Sequence, residues 1–170
     1  MTSTDDFLKA NESYAASFGD KGSLAIPPAR KLVIITCMDA RIDPAAHLGL
    51  KEGDAHVIRN AGGVAADAIR SIVISQRLLE THEIAVFHHT GCGMLLFQTQ
   101  QLRDLVKNAA PDDSEVARHV DAIHFHEFSN LEEAVQRDVL FLKSHPLVLK
   151  ETTITGWIYE VETGRIRQII

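Results

Sequence analysis

Short apolar runs separated by helix-length stretches constrain the fold of this 170-residue chain more than any other feature. Runs of β-branched and apolar side chains at 32–36, 55–59 and 83–89 have the length of strands, and the first has the pattern of a strand covered on both faces. Between the second and third runs, apolar residues at helical spacing predict a helix over 64–79. Strands that alternate with helices favour parallel βαβ units, so we expect an α/β fold with a central, mostly parallel β-sheet flanked by helices.

Further helices are indicated by caps and by periodicity. Asp43 suits the N-cap position and Pro44 suits the first helical position, so a short helix is expected to begin there. Apolar spacing predicts two more helices, over 95–106 and 131–142. The polar and acidic stretch between them, 108–130, is expected to form loop and short helix.

The two ends of the chain are expected to extend this sheet domain. Apolar residues at helical spacing predict an N-terminal helical arm within residues 1–25, which docks on its own domain or reaches a second subunit. Thr163 and Gly164 separate two strand-like stretches, 152–161 and 165–170, and predict a C-terminal β-hairpin. No repeat or linker divides the sequence, so one domain is expected over residues 1–170.

Composition narrows the classes of partner and location. The formal charge of −6 argues against a nucleic-acid partner, which favours a basic face. No apolar run approaches the roughly 18 residues of a membrane span, so no membrane partner is expected. The acidic N-terminus lacks the features of a secretory signal, which favours a cytoplasmic location. Free thiols persist there, and metal binding is a commoner use of cysteine than a disulfide.

Both cysteines of the chain follow a predicted strand. Cys37 comes directly after the first run, and Cys92 follows the third run together with His89. The carboxyl ends of parallel strands form a crevice in which ligands bind. Two thiols and an imidazole suit Zn²⁺, and three protein ligands leave a fourth position for water or a side chain, as a catalytic zinc requires. His88 and His89 point to opposite faces of a strand, and His89 has the tight spacing to Cys92, so His89 is chosen as the ligand.

Asp39 and Arg41 follow Cys37 at intervals of two residues and are the candidate catalytic pair. An aspartate beside an arginine stays ionised and is held in one orientation. Asp39 would either accept a hydrogen bond from the nucleophile or move onto zinc and close the site, with Arg41 holding it away. The glycine-rich loop that contains Asn60, Gly62 and Gly63 is expected to supply amide groups to the crevice.

Other interpretations of these residues remain open at this point. The cysteines would also suit buried thiols or a redox pair, and the aspartate and arginine a purely structural ion pair. The loop at 60–63 would suit a nucleotide phosphate site at a helix start, but it lacks the G-x-G-x-x-G order. A zinc-bearing sensor or interaction protein without turnover is a further alternative.

Three motifs in order resemble the β-class carbonic anhydrases, in particular their short members. They are Cys37-x-Asp39-x-Arg41, then Arg59-Asn60-Ala61-Gly62, then His89-x-x-Cys92-Gly93. The resemblance implies zinc held by the two cysteines and the histidine, with the Asp-Arg pair in catalysis. It also implies a lyase that reversibly hydrates carbon dioxide to bicarbonate and a proton. The implied assembly is a homodimer or a dimer of dimers, with active sites near the subunit interface.

One departure from the family bears on the substrate. Many close members have an acidic residue where this chain has Gly91, and its loss removes a charge beside the metal. The fold also resembles that of hydrolases acting on carbonyl sulfide or carbon disulfide, which are linear like carbon dioxide and open to the same attack. Gly91 and the apolar stretch 94–97 favour considering these substrates. Carbon dioxide hydration is the preferred function, and carbonyl sulfide or carbon disulfide hydrolysis is the alternative.

Overall fold

A five-stranded sheet organises the computed structural model, which describes Thr2 and residues 4–170. The spatial order of the strands is β2-β1-β3-β4-β5. The first four strands in this order run parallel, and β5 is antiparallel to β4, which makes the C-terminal hairpin. The predicted α/β class with a mostly parallel sheet is therefore confirmed. The strands are β1 (Leu32–Cys37), β2 (Ala55–Asn60), β3 (Glu83–His89), β4 (Thr153–Tyr159) and β5 (Ile166–Gln168).

Six α-helices are described, and the helix predicted over 64–79 begins later, at Ile69, after a short 3₁₀ turn over Ala66–Ala68. Asp43 accepts hydrogen bonds from two amides of the first turn of α2, as its N-cap role requires. The helix predicted from residue 95 begins instead at Thr99, because Gln98 and Gln101 form a capping box there. The helices are α1 (Phe7–Ala16), α2 (Pro44–Leu48), α3 (Ile69–Leu79), α4 (Thr99–Ala109), α5 (Ser114–Asp121) and α6 (Leu131–Ser144).

The two faces of the sheet are covered unequally. On one face, α3 and α6 bury side chains such as Ile72 and Val139 against β1 and β3 in the main core. Each such side chain contributes about 1.5–3 kcal/mol relative to exposure. The opposite face carries a smaller cluster around Ile34 and Phe87, against which Trp157 is only partly buried. A cavity of about 220 Å³ lies on this second face.

The strand register gathers the predicted site residues at one edge. Cys37 at the end of β1 lies opposite Asn60 at the end of β2, and β3 ends in His89 beside them. The loop after β2 packs directly on backbone: Gly63 has φ of 70°, and a Cβ there would lie 2.8 Å from the carbonyl carbon of Thr36. Only glycine fits at this position, so its smallness brings the loop against Cys37.

The N-terminal arm forms the expected helix but buries none of its side chains. Phe7 and Leu8 are 64% and 81% exposed. The arm contacts the domain near Glu52, which accepts a hydrogen bond from the Tyr14 hydroxyl at 2.5 Å. Within the described part of the chain, the helices are all too short or too polar to cross a membrane.

Candidate active site

Three potential metal donors converge at the carboxyl edge of the sheet. The ligand atoms of Cys37, His89 and Cys92 all lie within 4.8 Å of one another, and all three residues are buried. The two sulfurs are 4.0 Å apart. Zinc–sulfur bonds of about 2.3 Å in a tetrahedral array would separate two sulfurs by about 3.8 Å. The spacing of the thiols therefore fits one shared zinc ion with little adjustment.

The imidazole of His89 is oriented as a metal ligand. Its Nδ1 donates to the backbone carbonyl of Thr90 at 2.8 Å. Because a carbonyl only accepts, the proton sits on Nδ1, and Nε2 carries the lone pair. Nε2 is buried and has no hydrogen-bond partner among the residues that the structure describes. A buried polar atom without a partner is rare in native proteins, and here it belongs to the same cluster as two sulfurs.

The two thiols are unequal before any cation is considered. A hydrogen bond from Cys92 and further ones from the Asp39 and Gly62 backbone lower the pKa of Cys37, against the opposing effect of burial. The pKa of Cys92 is raised, because its proton is shared with Cys37 and because it is buried. A cation among the donors would favour the thiolate form of both. The donor set thus matches the chemistry of zinc.

Asp39 lies at the rim of this cluster and is held by Arg41. The guanidinium donates to both carboxylate oxygens, from Nε at 2.9 Å and from Nη2 at 2.7 Å, and the Arg41 amide adds a third bond at 2.9 Å. These hydrogen bonds hold the pKa of Asp39 well below its usual range. Oδ2 of Asp39 is 3.7 Å from Nε2 of His89. An ionised, oriented carboxylate therefore lies close to Nε2 of His89.

Arg59 holds the loop that carries Asp39. The sequence places this arginine in the second of the three motifs but does not indicate its role. Arg59 donates from Nε to the carbonyl of Cys37 at 3.0 Å and from Nη2 to the carbonyl of Asp39 at 2.7 Å. Two backbone carbonyls on either side of Met38 are thereby held from the neighbouring strand. This arrangement sets the direction in which Cys37 and Asp39 leave the end of β1.

The glycine-rich loop contributes backbone to the crevice, while the Asn60 side chain closes the turn. Oδ1 of Asn60 accepts from the Val64 amide at 2.7 Å, and Nδ2 donates to the Val64 carbonyl at 2.9 Å. Gly62 places its backbone near the Cys37 sulfur, and a Cβ at Gly62 would lie 2.9 Å from Met94 Cγ. Gly63 packs against the strand backbone.

A buried histidine–aspartate pair lies behind the donor cluster. His88 points to the opposite face from His89, as strand alternation predicts, and its Nε2 is 3.1 Å from Oδ2 of Asp138. The same oxygen accepts from the Ala65 amide at 3.1 Å, so α6 holds both β3 and the loop after β2. Sequence reasoning missed Asp138. The available signal was a charged residue within the apolar stripe of α6, next to Val139.

Comparisons with known proteins agree on one family. A model of the carbonic anhydrase family matches residues 32–166. Beta-carbonic anhydrase 1 of Mycobacterium tuberculosis is 42% identical, over 99% of both chains. The solved structure of a carbonic anhydrase from Glaciozyma antarctica is 52% identical, with a TM-score of 0.95 over the full length of both chains. A carbon disulfide hydrolase of Acidithiobacillus thiooxidans is 35% identical, over 85% of this chain and 79% of that protein.

Proposed function

The chain belongs to the carbonic anhydrase family, and from that premise we propose that it is a zinc enzyme that hydrates carbon dioxide to bicarbonate and a proton. Zinc would be held by Cys37, His89 and Cys92. The observation that carries the proposal is the buried donor cluster, in which Nε2 of His89 has no partner among the described residues. A structural zinc site would be completed by a fourth protein ligand, whereas this cluster offers three.

The residues around the donor cluster have separable tasks in this reaction. Held by the three donors, zinc would lower the pKa of water and so make hydroxide available near neutral pH. Asp39 accepts a hydrogen bond from the attacking oxygen and so directs a lone pair toward the carbon of the substrate. Arg41 keeps Asp39 ionised and oriented through its paired hydrogen bonds. Arg59 keeps the loop in place by holding the two carbonyls that flank Met38.

A second candidate function is hydrolysis of carbonyl sulfide or carbon disulfide. It is favoured by the relative named carbon disulfide hydrolase and by Gly91, which places no side chain beside the terminal nitrogens of Arg41. The apolar residues that follow, Met94 and its neighbours up to Phe97, suit a substrate containing sulfur. Carbon dioxide remains preferred, because the carbonic anhydrases of Mycobacterium tuberculosis and Glaciozyma antarctica are more similar to this chain than that hydrolase and cover more of both chains.

A paired assay on one zinc-loaded preparation distinguishes the two substrates. We expect kcat/KM for carbon dioxide hydration, measured by stopped flow, to exceed that for sulfide release from carbonyl sulfide or carbon disulfide by at least about 10²-fold. The same protein stripped of metal by a chelator provides the background for each assay. Rapid sulfide release with negligible hydration would reverse the preference. Zinc binding with background rates in all assays would instead favour the sensor function.

We also propose that two copies of the chain associate through the N-terminal arm, as a dimer or a dimer of dimers. The arm leaves Phe7 and Leu8 exposed, which is costly for a helix standing alone in water. The less covered face of the sheet, around Phe87 and Trp157, offers apolar surface and a cavity. A second copy supplies both the arm and the face in equal number, as a symmetric dimer requires.

Light scattering after gel filtration tests this assembly. We expect a mass of at least twice the 18.8 kDa of one chain, and a shift toward the monomer mass when Phe7 and Leu8 are both replaced by serine. The matched control is Leu105→Ser, which alters a leucine that is 68% exposed on α4 rather than on the arm. A wild-type protein that elutes as a monomer at all concentrations contradicts the proposal.

A further inference from the structure

The turn between β4 and β5 reaches the metal donors through Thr90. The Thr90 hydroxyl donates to Oε2 of Glu162 at 2.6 Å and accepts from the amide of Val161 at 2.9 Å. The Thr90 amide donates to the carbonyl of Tyr159 at 3.0 Å. Three hydrogen bonds from the C-terminal hairpin therefore hold this one threonine.

Thr90 is also the residue that orients His89. Its carbonyl accepts the Nδ1 proton, and this bond leaves Nε2 directed at the two sulfurs. Partners of the second imidazole nitrogen set the tautomer and the ring orientation of a metal-ligating histidine, and their loss typically lowers metal affinity 10–100-fold. Rotation of the Thr90 peptide would turn its carbonyl away from the ring. A side chain that anchors Thr90 thus acts on the ligand.

The positive charge of Arg41 also attracts the carboxylate of Glu162. A Cβ built on Gly91 would lie 3.9 Å from both terminal nitrogens of Arg41 and 4.0 Å from Oε1 of Glu162, so the two charged groups flank Gly91. The hydrogen bond from Thr90 lowers the pKa of Glu162, and the positive charge of Arg41 acts in the same direction. Glu162 is therefore ionised at neutral pH and attracted toward the site.

We infer that Glu162 is a positioning residue for the metal centre, acting on His89 through the hydroxyl and backbone of Thr90. The inference rests on the proposed zinc function, because it concerns the orientation of a zinc ligand. It adds a residue from the C-terminal hairpin, outside the three motifs. Loss of the carboxylate frees the Thr90 hydroxyl, loosens the peptide that carries the carbonyl, and weakens the grip of His89 on the metal.

Zinc affinity, measured by competition with a chromogenic chelator on the full-length protein, tests the inference. We expect Glu162→Ala and Thr90→Val each to lower the affinity at least about 10-fold, since both break the bond between Thr90 and Glu162. Thr90→Val also removes the acceptor of the Val161 amide. Thr90→Ser keeps the hydroxyl donor, and Glu162→Gln keeps an oxygen acceptor. Both variants should therefore bind zinc with an affinity within about threefold of wild type. The double variant Thr90→Val with Glu162→Ala should be no weaker than Thr90→Val alone, because Glu162 acts through the Thr90 hydroxyl that this change has already removed.

The matched control is Glu160→Ala, which alters a carboxylate in the same turn. Glu160 accepts a hydrogen bond from the Thr163 hydroxyl at 2.8 Å. Its replacement by alanine is expected to leave zinc affinity unchanged within about twofold. Equal losses in the Glu160 and Glu162 variants would assign the effect to the hairpin as a whole and overturn the inference. So would wild-type affinity in both Glu162→Ala and Thr90→Val. A wild-type protein that binds no zinc overturns the proposed function and this inference together, which distinguishes the two failures.

Discussion

Cys92→Ser should bind zinc at least about 10²-fold more weakly than wild type and, in the presence of a chelator, hydrate carbon dioxide at the background rate. A serine hydroxyl is a poor zinc ligand, because it stays protonated near neutral pH, whereas a thiol that binds a cation ionises. Zinc affinities of about 10–16 kcal/mol spread over four ligands give roughly 3 kcal/mol for each, which corresponds to about 10²-fold. The metal content after dialysis and the stopped-flow rate measure the two effects.

A matched control separates loss of a ligand from loss of packing. Met94→Leu alters a buried neighbour in the same cluster and offers no zinc donor in either form. This volume-conserving change should cost less than about 1.5 kcal/mol of stability and leave zinc content unchanged. If Cys92→Ser retained one zinc per chain with full affinity, Cys92 would not be a ligand, and the proposed site would be wrong.

Asp39→Asn should retain zinc but lose carbon dioxide hydration by about 10²–10⁴-fold. The amide has nearly the size of the carboxylate, but it has no charge to pair with Arg41 and presents a donor where an acceptor is needed. The expected loss falls on kcat/KM measured by stopped flow, while metal analysis should give the wild-type zinc content. Together these results would place Asp39 in the reaction rather than in metal binding.

Asp43→Asn is the corresponding control. Asp43 lies four residues further along and caps α2, a role that asparagine fills equally well. Its activity and zinc content should match those of wild type within about twofold. An Asp39→Asn protein with wild-type rates toward both carbon dioxide and carbonyl sulfide would show that the Asp-Arg pair has no catalytic role.

The parts of the fold that could be predicted depend on local patterns. The apolar runs that form β1 and β3 predict buried strands, and parallel strands necessarily bring their carboxyl ends to one edge of the sheet. Residues at or just after the ends of these strands could therefore be placed together from the sequence alone. Cys37 and His89 with Cys92 are such residues, and the structure brings their ligand atoms within 4.8 Å.

Details that depend on distant or unusual contacts could not be predicted. Gln98 is an uncommon N-cap, and for this reason the sequence did not predict that α4 begins at Thr99. The sequence of the loop after β2 predicts a turn, but it does not predict the hydrogen bonds between the Asn60 side chain and the Val64 backbone. Glu162 lies 72 residues beyond Thr90, and no spacing rule connects two positions so far apart in different turns.

The separation of the two cysteines along the chain has a thermodynamic consequence. Cys37 and Cys92 are 55 residues apart, and an ion bonded to both sulfurs would tie off that length of chain as a cross-link does. For a loop of this length, the chain-entropy description of a cross-link gives about 4 kcal/mol from the restricted unfolded state. The free energy of unfolding should then rise with the concentration of free zinc, so that the supply of metal would also set how long the folded protein persists.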